Sequence, residues 1–184
     1  MTDVEDDDPD AGFDPDDDRL LIDAMLGKLA TYLRMCGYDA AYVDSDAAPA
    51  DLVEGSTGTD RDAAIRDLAS RESRTLLTRD RQLATATPGA ILLDSRQIED
   101  QLRELADEGF RLELPDSPRR CATCNGSLVA VGPEEPAPDY APDPATVDCW
   151  RCPDCGQFFW RGSHWDDVGE TLAGVPAAQS TDGA

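Results

Sequence analysis

Five of the six cysteines and a few aspartates are the residues of this chain whose types and spacing could do chemistry. Cys121-Ala-Thr-Cys124 and Cys152-Pro-Asp-Cys155 stand 27 residues apart. Each turn offers a pair of thiolates from a tight loop, and Zn²⁺ prefers four such ligands in a tetrahedron. Gly126 and Gly156 follow the two turns, where glycine lets the backbone bend so that amide N–H groups can point at sulfur. Cys149 makes an overlapping pair with Cys152, but the proline and glycine around Cys152 and Cys155 favour those two as ligands. A disulfide pairing is the competing reading. Four thiolates leave no open coordination position, so one zinc here is expected to be structural, holding a ribbon too small to fold on its own core. Cys36 falls on an apolar helix face and reads as core.

The aspartates stand at the ends of short apolar runs. Asp23, Asp44 and Asp94 close three of them, and Asp80 follows another by two residues. In an open parallel α/β sheet the carboxyl ends of the strands share one edge, where ligands bind. Carboxylates gathered there repel one another unless a divalent cation such as Mg²⁺ or Mn²⁺ neutralises them, and that cation can assist an in-line phosphoryl displacement. Aspartate is also favoured at helix N-caps, which strand–helix junctions supply. The residues alone leave both readings open, with Asp23 and Asp80 the better pair.

The elements that must position these groups are short strands alternating with helices. Arg19 to Asp23 reads as a buried strand, and residues 24–36 as a helix with Gly37 as its C-cap. Further strands are predicted at 38–44, 75–78 and 90–94, and helices at 60–72, just after Asp80, and at 98–108. Residues 45–59 read as a loop. The pattern predicts a parallel sheet covered on both faces, an α/β domain over 19–115. Residues 117–166 differ in character, with five cysteines, all three tryptophans and the single histidine, and form the predicted zinc ribbon. Residues 1–18, Asp-rich, and 167–184, rich in Gly, Ala, Ser and Thr, are both expected to be disordered tails.

Composition bounds the function. The 184 residues carry 39 acids against 16 bases, a net charge of −23, with a single lysine, Lys28. Such a surface is expected to suit high salt, where the Debye length falls to ~3 Å at 1 M, and it resembles proteins of salt-in halophiles. Taken alone, it argues against binding a polyanion. No apolar run approaches the ~20 residues that span a bilayer, and the N-terminus lacks a signal-peptide pattern, so a cytoplasmic protein with no membrane partner is expected.

Three motifs carry a resemblance. Leu20-Leu-Ile-Asp-Ala-Met-Leu-Gly-Lys-Leu-Ala-Thr-Tyr-Leu-Arg-Met-Cys-Gly-Tyr-Asp39 and Thr75-Leu-Leu-Thr-Arg-Asp-Arg81 resemble the Mut-seven C-terminal RNase domain family. The stretch from Cys149 to Trp165, ending Arg-Gly-Ser-His-Trp, looks like the ribbon signature of that family. The resemblance runs from about residue 20 to 166. It implies a PIN-like sheet flanked by helices with a small zinc ribbon, and RNA hydrolysis that depends on Mg²⁺ or Mn²⁺. Asp23 matches the first-strand acid and Asp80 the acid of Thr-Arg-Asp, both as catalytic metal ligands. Asp60 or Asp62 would be the third acid opening the middle helix, and Asp94 a weaker fourth.

Lys28 and Arg34 lie within the family motif, one or two helical turns after Asp23, where they could reach a phosphate or simply be solvated. Arg79 and Arg81 flank Asp80. His164 could act as a general acid, stack on RNA, or fix the ribbon to the α/β domain. The expected function is a metal-dependent ribonuclease. The rival is a zinc-ribbon module that binds RNA or a protein without cleaving.

Overall fold

The computed structural model describes residues 12–44 and 59–175. Four parallel strands, β1 (Arg19–Ile22), β2 (Asp39–Tyr42), β3 (Thr75–Thr78) and β4 (Ile91–Leu92), lie in the order β2-β1-β3-β4. Leu20 pairs with Ala40 on one side and Thr75 on the other, and Leu77 pairs with Ile91. Leu20 and Ile22 enter one core while Leu21 enters the other, as a strand covered on both faces requires.

The helix predicted at 24–36 divides into a 3-10 turn, Ala24–Leu26, and α1, Gly27–Met35. It ends as predicted: Gly37 has φ +101°, and Tyr38 N–H returns to the Leu33 carbonyl. Helix α2 (Thr59–Arg71) and the short α3 (Arg81–Ala86) cover one face of the sheet through Ile65, Leu68 and Leu83. On the other face, α1 packs with α4 (Ile98–Asp107) around Leu29, Leu33, Leu102 and Leu105. The loop predicted at 45–59 lies outside the described residues up to 58, and Thr59 begins α2.

The second unit is an antiparallel three-stranded sheet, β5 (Val129–Ala130), β6 (Cys149–Arg151) and β7 (Phe158–Trp160). After it, the chain returns to the first core. Residues 163–173 form α5 (Ser163–Ala173), and its Trp165, Val168 and Leu172 pack with Leu102, Leu105 and Phe110. The expectation of a disordered tail from residue 167 is therefore corrected as far as 173. Composition concealed an apolar stripe at helical spacing.

The acidic N-terminal stretch is corrected in the same way from residue 12. Phe13 stacks on Phe110 at 4.1 Å, and its carbonyl accepts from Tyr38 Oη at 2.6 Å. One aromatic ring anchors a segment in which four of the seven residues from 12 to 18 are aspartates. Residues 1–11 and 176–184 lie outside the described residues. No helix among the described residues is long and apolar enough to cross a membrane.

Candidate functional site

The two Cys-x-x-Cys turns meet. Cys121 Sγ lies 3.6 Å from Cys155 Sγ and Cys124 Sγ 3.5 Å from Cys152 Sγ, with all four sulfurs within 4.8 Å of one another. A tetrahedron with Zn–S bonds of ~2.3 Å has sulfurs ~3.8 Å apart, so the quartet has the dimensions and the soft donor set of structural zinc. Burial pushes the metal-free Cys124 thiol up to about 12, a cost that a bound cation reverses. Cys149 stands outside the quartet, buried at the start of β6 opposite Trp160. Cys36 is buried in the core as expected.

The two turns are matched in backbone rather than in their glycines. Asn125 (φ 70°) and Gly156 (φ 76°) occupy the equivalent left-handed position, which asparagine tolerates better than most residues. Gly126 is required for a different reason: a Cβ there would collide with the Asp154 carboxylate and lie 3.0 Å from Cys152 Sγ.

The first cysteine turn covers β2, the edge of the parallel sheet. Asn125 Oδ1 accepts from Ala40 N–H at 2.9 Å, and its amide donates to Asp39 at 2.8 Å. Asp39 also takes an ion pair from Arg74 at 2.8 Å. Burial would raise the Asp39 carboxyl, but hydrogen bonds from Arg74 and Asn125 and the charges of Arg74 and Arg120 outweigh it and hold the group at about 2. A depressed carboxyl stabilises the fold above its unfolded value of 3.8, and that contribution is lost as pH falls through about 2. Asp39→Asn should cost about 2 kcal/mol near neutral pH, with the difference closing below about pH 4 in denaturant titrations.

Arg34, expected at a phosphate, is instead 4% exposed. Its Nε donates to the Ala40 carbonyl (2.8 Å), and Nη1 donates to the carbonyls of Ala122 (3.1 Å) and Thr123 (3.0 Å), between the first two cysteines. Desolvation by burial lowers its pKa against the opposing charges of Cys121, Cys124 and Asp39. Arg34 is thus a pin between α1, β2 and the zinc turn. Arg34→Met should destabilise the chain by about 3 kcal/mol and weaken zinc retention about 10- to 100-fold, read by competition against a metallochromic chelator.

Asp23 and Asp80 come together through a residue that the sequence reading passed over. Thr78, fully buried at the end of β3, donates its hydroxyl to Asp23 Oδ2 at 2.6 Å and accepts from Asp80 N–H at 3.0 Å. A threonine closing an otherwise apolar strand is the signal that could have found it. Asp23 is 7% exposed, and its Oδ1 accepts from Ala24 N–H at 2.7 Å. Asp80 Oδ1 caps α3 through Gln82 and Leu83 N–H, and Oδ2 accepts nothing among the described residues. Both aspartates therefore cap helices and also face the carboxyl edge of neighbouring parallel strands, so the two readings coexist.

The remaining candidates divide. Asp94 and Asp44 are exposed and ion-paired, to Arg81 at 2.6 Å and Arg61 at 3.3 Å. Asp62 lies in the first turn of α2 and the side chain of Asp60 lies outside the described residues. Among the described residues the cysteine quartet is the only group of three or more potential ligands close enough for one metal, so no third carboxylate joins Asp23 and Asp80 there. Lys28 is exposed on α1, 6.0 Å from the Tyr32 ring centre, with no carboxylate partner among the described residues. Arg79 Nε is buried without a hydrogen-bond partner among them. His164 is exposed in the first turn of α5, which disfavours a role as a buried fastening for the ribbon.

A parallel α/β sheet with carboxylates at its carboxyl edge is joined to a four-cysteine ribbon that fits one structural zinc. The chain belongs to the Mut7-C RNAse domain family, whose model matches residues 18–172. No curated protein and no solved structure matches it. Membership in an RNase domain family brings with it a nuclease-like role and RNA as the substrate class.

Proposed function

We propose that the chain is a ribonuclease dependent on Mg²⁺ or Mn²⁺, with Asp23 and Asp80 as its principal acids and Asp60, rather than Asp62, completing the set from the start of α2. The observation that carries this reading is the Asp23–Thr78–Asp80 linkage, which brings the two acids of the family motifs to one edge of the sheet. Hard carboxylate oxygens fit a hard divalent cation. Bound there, it supplies charge neutralisation and Lewis acidity at a phosphodiester.

The chain's own residues supply position. Thr78 and the Ala24 N–H fix the Asp23 carboxylate, and the α3 cap fixes Asp80 with Oδ2 turned from the helix bonds. Lys28, with no carboxylate partner among the described residues, and Arg79, whose Nε has no hydrogen-bond partner among them, are candidate cations for a phosphate. Arg81 is committed to Asp94, and Arg34 to the zinc turn. The acid-rich, lysine-poor surface suits a cytoplasm of high salt, where screening weakens repulsion of RNA.

The test separates enzyme from binding module. Labelled single-stranded RNA is incubated in molar KCl with the wild-type chain, with and without Mn²⁺, and followed by gel retention and by product formation. Cleavage that requires Mn²⁺ is expected. Retention without turnover at any divalent concentration would favour the non-catalytic module.

A further inference from the structure

A strand of RNA that reaches Asp23 must cross a molecule of net charge −23, which repels it over most of its surface. Two adjoining grooves are exceptions. The first, of about 550 Å³, runs from Gly27, Thr31 and Tyr42 to Gln157, Phe159 and His164, between α1 and the ribbon. Asp23 is not in its lining, but the groove's Tyr42 end is tied to the neighbouring residue: Tyr42 Oη donates to the Ala24 carbonyl at 2.7 Å. The second, of about 260 Å³, is lined by Phe158, Phe159, Trp160 and Trp165, with Arg120 and Ser163 among its polar groups. Gln157, Phe159 and His164 line both, so the two form one track.

Charge distinguishes this track. No Asp or Glu among the described residues lines either groove, although 39 of the 184 residues are acidic. Two other hollows both include Glu113, and one of them Asp116 as well.

The shape and chemistry of the second groove fit one ligand class. Aromatic faces with hydrogen-bonding groups beside them match a nucleobase, whose faces stack and whose edge is polar. Its volume lies below the ~300 Å³ at which pockets for drug-sized ligands begin, so it suits a single base. Gly162 makes room: a Cβ there would lie 2.7 Å from Trp160 Nε1.

We propose that the acid-free track is the path of an unpaired RNA strand and that the pocket at Phe159, Trp160 and Trp165 takes one of its bases, which rests on the ribonuclease reading above. A base in a duplex is stacked and paired and cannot enter, so the substrate is single-stranded or looped RNA.

Binding is measured by anisotropy on Asp23→Asn protein in molar KCl, with a fluorescent single-stranded RNA of about 12 nucleotides. Adding Phe159→Ala should lower affinity about 5- to 100-fold, and Phe159→Tyr should keep it. An abasic nucleotide moved along the RNA, which leaves the protein untouched, should reproduce the loss at one position. Affinity unchanged in Phe159→Ala and a flat abasic scan, with wild-type cleavage intact, would overturn the pocket and leave the nuclease standing. A folded, zinc-loaded wild type that binds this RNA with a positional abasic loss yet never cleaves it would uphold the pocket while the nuclease reading fails.

Discussion

Stripping zinc with a strong chelator, or replacing Cys121 with serine, lowers the thermal midpoint of the chain by roughly 10 °C or more. The ribbon has little else to hold it: between residues 119 and 160 the buried residues are Cys121, Cys149, Cys152 and Phe158, two of them members of the quartet. Structural zinc in small modules contributes on the order of 10 kcal/mol of binding free energy that is also folding free energy. Part of that reaches the α/β domain. Arg34 donates to carbonyls inside the first cysteine turn, and Asn125 bonds both Asp39 and the edge-strand N–H of Ala40. When the turn loosens, a buried guanidinium and an edge strand lose partners at once. Calorimetry beside metal analysis checks this. About one zinc per chain is expected, and a metal-free chain that melts at the same temperature would contradict the account.

The second large effect is on catalysis. Asp23→Asn should reduce RNA cleavage about a thousandfold or more, since it removes a carboxylate that would hold the divalent cation, and with it the cation's neutralisation of charge at the phosphodiester, worth several kcal/mol at ~1.4 kcal/mol per decade. Its cost to the fold is smaller. Asp23 accepts one bond on each oxygen, from Ala24 N–H and from the Thr78 hydroxyl, and an amide can accept on only one side. One lost hydrogen bond costs about 1–2 kcal/mol. A variant that melts within a few degrees of wild type and yet does not cleave separates a chemical role for Asp23 from a merely structural cap. Thr78→Val gives an intermediate result, because it leaves both acids and removes only the group that joins them.

These residues also mark what a sequence can disclose. The zinc quartet was legible because ligand spacing is a local property: two turns of fixed length present paired sulfurs whatever the fold around them. The parallel sheet was legible in runs such as Leu20-Leu-Ile22, too apolar for a strand with one wet face. Arg34 was misread because a cation near a strand-end acid suggests a phosphate. Its place beside Leu33 and four residues after Ala30, both buried, put it on the inner face of α1, but two of its three carbonyl partners lie 88 and 89 residues away in sequence. Helix α5 was hidden by its small-residue composition, and Phe13 by the acids around it, since both are held by long-range packing. Thr78 is invisible to a search for acids, bases and thiols, although its hydroxyl bonds both the Asp23 carboxylate and the Asp80 backbone N–H.

The central claim is that Asp23 and Asp80 form one metal-dependent site for RNA hydrolysis. Its most direct test is cleavage of single-stranded RNA in molar KCl with Mn²⁺ by three preparations of equal zinc content: wild type, Asp23→Asn and Asp80→Asn. Activity in the wild type alone, abolished by removing Mn²⁺, is the predicted result. Equal activity in all three would contradict it.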